Sequence, residues 1–216
     1  MDYQITALKA QKRNPNRVNV FLDGVYSFSL ARIIAAWLKV GQTVDEEKIA
    51  SLKKQVGEEK ALQKALSFIS YRPRSEKEIR NKLETSGYAP DLIDRVLERL
   101  RKAEVLDDEK FARDWVENRS IFRPRSKRLM AMELRHKGIS EEIILNAISG
   151  SDDDEMLALA AARKRVHRLE NLDREAFRKK LSEYLIRQGF NYGITAAVVS
   201  QVWSELETEE TANLHK

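Results

Sequence analysis

A period of 51 residues constrains this chain more than any other feature. The word Arg72-Pro73-Arg74-Ser75 returns as Arg123-Pro124-Arg125-Ser126, with every residue displaced by 51 positions. Four matched residues at one offset signal internal duplication, and the rest of the sequence obeys the same period. Gly87, Gly138 and Gly189 keep the spacing, as do Leu83, Leu134 and Leu185, and Ile79, Met130 and Leu181. Leu92, Ile143 and Ile194, then Val96, Ala147 and Val198, stay in register. A third copy has Glu175-Ala176-Phe177 where Pro-Arg-Ser would fall, so it keeps the apolar frame and drops the basic word. Three tandem units result.

Each unit reads as three helices. In the first, Ala61, Leu62, Ala65, Leu66 and Ile69 form an apolar stripe at helical spacing. Tyr71-Arg72-Pro73 stops it, because a residue before proline is biased away from the helical region. Ser75 and Glu78 then form a capping box, each side chain satisfying the other residue's free N–H. Gly87 supplies a left-handed C-terminal stop, and Pro90 opens a third helix that buries Leu92, Ile93, Val96, Leu97 and Leu100. The second unit repeats the plan, with caps at Asp107 and Asp108, at Ser126 and at Ser140, and a stop at Gly138. The third opens at Asp152-Asp153-Asp154, has a basic first helix and continues past Gly189 to about Leu206.

Upstream, the pattern changes. Val18, Val20 and Leu22 alternate with other residues and lead through Asp23-Gly24 into Val25-Tyr26-Ser27-Phe28, a strong hairpin signal. Ile5 to Leu8 supplies a further strand, giving a small sheet of three. Leu30 to Leu38 reads as a short helix, Asp45 caps another, and Gly57 breaks the pattern. The expected fold is mainly α: an array of three three-helix repeats preceded by a small N-terminal β-hairpin and short-helix module. The expected boundaries are 1–57 for the module, 58–105, 106–150 and 151–206 for the repeats, and 207–216 for a disordered tail.

Composition agrees and excludes much. Of 216 residues, 42% are apolar and 34% charged, with only 8 Gly and 4 Pro, as in a heavily solvated helical protein. The absence of Cys rules out disulfides and thiolate metal sites. No apolar run has the length of a membrane span, and Met1-Asp2-Tyr3-Gln4 is no signal peptide, so the expected location is cytoplasmic, with no membrane partner. His136, His167 and His215 share no ligand spacing, and no phosphate loop or dinucleotide fingerprint is present. Asp152-Asp153-Asp154-Glu155 reads as capping acids more readily than as a magnesium site. The expectation is a binding protein, not an enzyme, without cofactor or metal.

The net charge of +5 is concentrated: residues 111–139 hold eight cations (Arg113, Arg119, Arg123, Arg125, Lys127, Arg128, Arg135, Lys137) against Asp114, Glu117 and Glu133. A local excess of this kind is the footprint of an anionic partner. After the cap, copy one has Glu76-Lys77-Glu78, which suits a helix N-terminus, whereas copy two has Lys127-Arg128-Leu129, which opposes the helix dipole. Local stability is given up there to gather charge at an expected anion site. The candidate partner-binding residues are Arg72, Arg74, Arg123, Arg125, Lys127, Arg128, Arg135 and Lys137, with the arginines held out by the prolines. Phe111 and Trp115 fall on the apolar stripe and read as core, while Tyr71 and Phe122 are open to either role.

These residues resemble a known family. Tyr71 to Ile79, Leu83, Gly87-Tyr88, Val105 to Ala112, and Glu133-Leu134-Arg135-His136-Lys137-Gly138-Ile139 look like the RecX regulatory proteins, over about residues 58–206. The first 57 residues resemble the N-terminal extension of longer members. The resemblance implies a bacterial cytoplasmic protein that binds the RecA filament and restrains its ATPase, strand-exchange and coprotease activities in recombinational repair and the SOS response; a monomer is expected. The basic residues would then meet RecA, single- or double-stranded DNA, or both. A helical-repeat protein acting directly on DNA is the alternative.

Overall fold

The structure, a computed structural model, describes residues 1–214. The chain divides into two compact units, Met1–Pro73 with Ile79–Val105, and Arg74–Glu78 with Leu106–Lys216.

The first unit opens with four strands, β1 (Asp2–Ala10), β2 (Arg17–Leu22), β3 (Val25–Ala31) and β4 (Thr43–Asp45), in the order β3-β2-β1-β4. All pairs are antiparallel. Asp23 and Gly24 both have positive φ (48° and 82°), as a two-residue hairpin loop between Leu22 and Val25 requires. The fourth strand, absent from the sequence reading, pairs with the start of β1. The expected helix from Leu30 to Leu38 shrinks to α1 (Arg32–Ala35), because Leu30 and Ala31 complete β3 opposite Val18 and Arg17. Ile5, Val20, Leu22, Phe28, Leu30 and Val44 form the core under α2 (Glu46–Ser70), together with its Ile49 and Leu52.

The break in helical pattern expected at Gly57 does not occur. α2 runs 25 residues through it, from the Asp45 cap to Ser70. No proline or left-handed residue stops the helix there, and the missing side chain admits a neighbour: a Cβ would stand 3.3 Å from Leu92 Cδ1. The N-terminal module and the first repeat therefore share one long helix and one compact unit. That repeat is completed by α3 (Glu76–Glu84) and α4 (Pro90–Lys102).

The second unit contains α5 (Asp108–Phe122), α6 (Lys127–His136), α7 (Glu141–Ser149), α8 (Asp154–Val166), α9 (Arg174–Arg187) and α10 (Tyr192–Leu214). Its core joins both repeats, from Phe111, Met130 and Leu134 to Leu157, Phe177, Leu181 and Val202. The 51-residue register is a register of burial: Leu83, Leu134 and Leu185 are all fully buried, as are Ile79, Met130 and Leu181. Gly87, Gly138 and Gly189 all have φ between 81° and 92°. After each, the next residue's N–H donates to the buried leucine carbonyl (Tyr88 to Leu83, Ile139 to Leu134, Phe190 to Leu185), the Schellman closure.

The tail differs from expectation. α10 continues past Leu206 to Leu214, since Glu207 to Leu214 contains no Gly or Pro to interrupt a helix already nucleated by packing. Residues 215 and 216 of that tail lie outside the described residues.

Candidate partner-binding surface

The repeated word has an inward half and an outward half. Its serines are fully buried. Ser75 caps α3 through Glu78 N–H, receives Glu78 Oε2 at its own N–H, and donates its hydroxyl to Lys137 O at 2.7 Å. Ser126 accepts from Leu129 N–H, and its own N–H donates to Gln188 O at 3.0 Å. Lys137 and Gln188 are one period apart, so each serine anchors its helix start to the glycine turn that ends the corresponding helix of the following copy. The next N–H is held in the same way: Glu76 N–H donates to Asp108 Oδ1 (2.9 Å) and Lys127 N–H to Asp154 Oδ1 (2.8 Å).

The expected anion site at the start of α6 is therefore already filled. Ser126 and Asp154 occupy its first backbone donors. Asp153 caps α8 and Asp107 caps α5, which frees Asp154 and Asp108 for this joint. Copy three needs no such word. There α9 starts one turn early from an Asp173 cap, and Phe177, fully buried, stands where the serine would be.

The second arginine of each word also turns inward, against expectation, because a carboxylate waits beside it. Arg125 pairs with Glu133, whose Oε2 accepts from Trp115 Nε1 (2.8 Å) and Arg119 Nε (2.9 Å). Burial pushes both guanidinium pKa values below the ordinary arginine range, and for Arg125 the positive charges of Arg119 and Arg123 add to it. Trp115 meets Arg119 at 4.4 Å and Lys137 at 4.5 Å from its ring centre, within cation–π range. Lys137 reaches Glu78 at 3.3 Å, and Arg74 stands 3.7 Å from the same carboxylate. Arg135 is bound by Glu141 at 2.8 Å, which raises the arginine pKa and lowers the glutamate's.

Four of the eight candidates, Arg74, Arg125, Arg135 and Lys137, are thus engaged within the protein. The outward half is different. Arg123 and Arg128 are exposed, Lys127 is half-buried, and none of the three has an ion pair among the described residues. Arg72 is exposed and donates to Pro73 O at 3.1 Å. Each exposed arginine of the word follows an exposed aromatic: Tyr71 is 82% and Phe122 65% exposed, and they too are one period apart. Phe111 is core and Trp115 half-buried, as expected. Sequence reasoning missed Arg174, which continues the series Arg72, Arg123, Arg174 at the same offset. With Arg178 it forms an exposed basic turn at the start of α9, again without an ion pair among the described residues.

Fold and surface define a class: a tandem three-helix repeat protein fronted by a small antiparallel sheet. No helix among the described residues is long and apolar enough to cross a membrane. Family models match in order: the regulatory protein RecX N-terminal domain over residues 3–45, and the first, second and third RecX three-helix domains over 61–100, 107–148 and 152–199. The chain is 32% identical to regulatory protein RecX of Clostridium botulinum over 204 residues, covering 92% of this chain and 95% of that one. Against regulatory protein RecX of Bacillus subtilis it is 32% identical over 214 residues, covering 95% and 79%. A crystal structure of a regulatory protein RecX superposes with a TM-score of 0.68 at 27% identity, covering 91% of this chain and 98% of that one. The chain belongs to the RecX family of regulatory proteins.

Proposed function

We propose that this chain binds the filament that RecA forms on single-stranded DNA and restrains its ATPase, strand-exchange and coprotease activities, acting in the cytoplasm by docking rather than catalysis. Membership of a family of regulatory proteins supports the reading, and the observation that carries it is the outward half of the repeated word. Arg123, Lys127 and Arg128 make no ion pair among the described residues, and Arg123 follows the exposed Phe122 ring. Such a surface recognises an anionic partner carrying planar or apolar groups. A second reading, direct action on nucleic acid, draws on the same aromatic–arginine pairs, which suit base stacking over a phosphate backbone.

RecA ATPase on single-stranded DNA, followed with and without this protein, tests the proposal. Inhibition is expected at stoichiometries well below saturation of the DNA, and its absence sinks the reading. Reversing Arg123, Lys127 and Arg128 to Glu should weaken inhibition by about tenfold or more while leaving circular dichroism unchanged. Full inhibition by the folded triple variant would move the site elsewhere. Binding to bare DNA that falls steeply with salt, together with no effect on RecA at matched DNA occupancy, would favour the second reading.

A further inference from the structure

The four-stranded sheet has two faces, and α2 covers one of them. Ile5, Val20, Leu22, Phe28 and Leu30 meet Ile49 and Leu52 on that side. Side chains alternate along a strand, so the residues between them line the other face. The register sets Ala7, Phe21 and Tyr26 in one row across it, and Lys9 and Asn19 in the next, with Arg17 beyond. All six are exposed or half-buried. The rings of Phe21 and Tyr26 meet edge to face at 6.0 Å, and Tyr26 is 54% exposed. Neither ring belongs to the core beneath.

Charge on this module is one-sided. Residues 3–44 contain six cations and a single acid, Asp23. Asp23 lies in the β2–β3 turn, where its Oδ1 accepts from Gln4 N–H at 2.9 Å, and Asp2 and Asp45 pair at that same end of the sheet. The cations lie away from it. Lys9 and Arg17 stand on the open face, Lys12 and Arg13 are exposed in the β1–β2 turn, and Arg32 N–H donates to Asn16 O of that turn. None of these five has an ion pair among the described residues. Lys9 Nζ stands 5.1 Å over the Phe21 ring, and Arg17 donates to Ser29 O and Oγ at 2.9 Å. The open face therefore grades from two aromatic rings to a track of cations.

We propose that this face binds a single strand of nucleic acid, bases stacking on Tyr26 and Phe21 and phosphates following Lys9 and Arg17 to the Lys12–Arg13 turn. Every base offers a π-face and every phosphate a charge, so rings beside a basic track suit an unpaired strand of any sequence. A four-stranded sheet takes about two or three bases in this way. In the free protein Lys9 covers Phe21. Base–aromatic stacking is the stronger contact, so an arriving base displaces the ammonium, which then meets a phosphate. An acidic peptide would satisfy the cations but give the rings nothing planar, and a duplex keeps its base faces stacked inside. The site belongs to the N-terminal sheet alone and does not rest on the proposed action on RecA.

Fluorescence anisotropy of the full chain with a labelled oligothymidylate of about 15 nucleotides, without RecA, tests it. Binding on the order of 10 µM is expected at low salt, with oligouridylate comparable. Phe21→Leu combined with Tyr26→Leu keeps the strands apolar but removes the rings, and should weaken binding about tenfold or more with unchanged circular dichroism. Lys12→Ala with Arg13→Ala should lower the salt slope by about one. Binding to a duplex of the same length should not respond to the double-leucine change. On the wild-type chain, an iodouracil-substituted strand should photocrosslink within the tryptic peptide Val18–Arg32, a readout that no folding defect can mimic. Full affinity of the double-leucine variant, or crosslinks confined to the three-helix repeats, overturns the proposal and leaves nucleic acid to the repeats. Equal loss for single strand and duplex also overturns it, because stacking would then play no part.

Discussion

Glu133 decides what the basic segment can offer. Counted along the sequence it is one acid among many cations, but in the fold it accepts from Trp115 and Arg119 and pairs with Arg125, its side chain only 15% exposed. Removing it would strand two half-buried guanidinium groups and an indole N–H. Glu133→Ala should destabilise the protein by about 2–3 kcal/mol, measured as a shift of the urea midpoint at constant slope, with Glu133→Gln costing less. An unchanged midpoint would mean that the cluster is solvated and that Arg125 is available to a partner. This inward turn was not legible beforehand. Pro124 fixes the backbone beside Arg125, but the rotamer is chosen by a carboxylate that arrives from α6. Arg123 is exposed and has no ion pair among the described residues.

At the scale of elements, local rules served well. The Asp45, Asp107, Ser126 and Ser140 caps, the Ser75–Glu78 box, Pro90 at a helix start and the three glycine stops all depend on residues within one turn of each other. What failed was long-range. The roles of Asp108 and Asp154 at the helix starts of a preceding copy involve residues about 30 apart in sequence, and Gly57 looked like a stop because its packing against Leu92 was invisible. The repeated glycines separate local from long-range cost. Gly87 and Gly138 share φ near 81°, but a Cβ at Gly87 meets nothing within 4 Å, whereas at Gly138 it would stand 2.6 Å from Lys77 Cβ. Gly87→Ala should therefore cost only the left-handed penalty, about 1–2 kcal/mol. Gly138→Ala should cost that plus about 1–3 kcal/mol of overpacking, and equal thermal shifts for the two variants would refute the joint.

For the molecule as a whole, the period gave the three-helix repeats directly, because burial recurs with it, while the merging of the sheet module with the first repeat had no local signal. Charge is also distributed at this scale. Asp91 is held below the ordinary carboxylate range mainly by Arg95, Glu98 by Arg101 and Lys102, Glu141 by Arg135 and Glu205 by Arg163. Depressed folded-state values make these pairs stabilising above the unfolded carboxylate pKa of about 4 and remove that contribution as pH falls through the folded values. Stability should hold from neutral pH down to about 5, then decline, more shallowly at high salt, since these pairs sit in water; pH-dependent urea melts with and without added salt check this.

The extra turn of α9 has a consequence for how such chains can grow. Phe177 plugs the place where a serine would receive another copy, so a repeat appended at the C-terminus would find no socket. Copy two carries both halves of the joint: the Ser126 end, and the Asp108 and Gly138 seat that already accepts residues of the Ser75 word. Gene duplication, natural or engineered, can therefore extend this protein only from within, by doubling its middle.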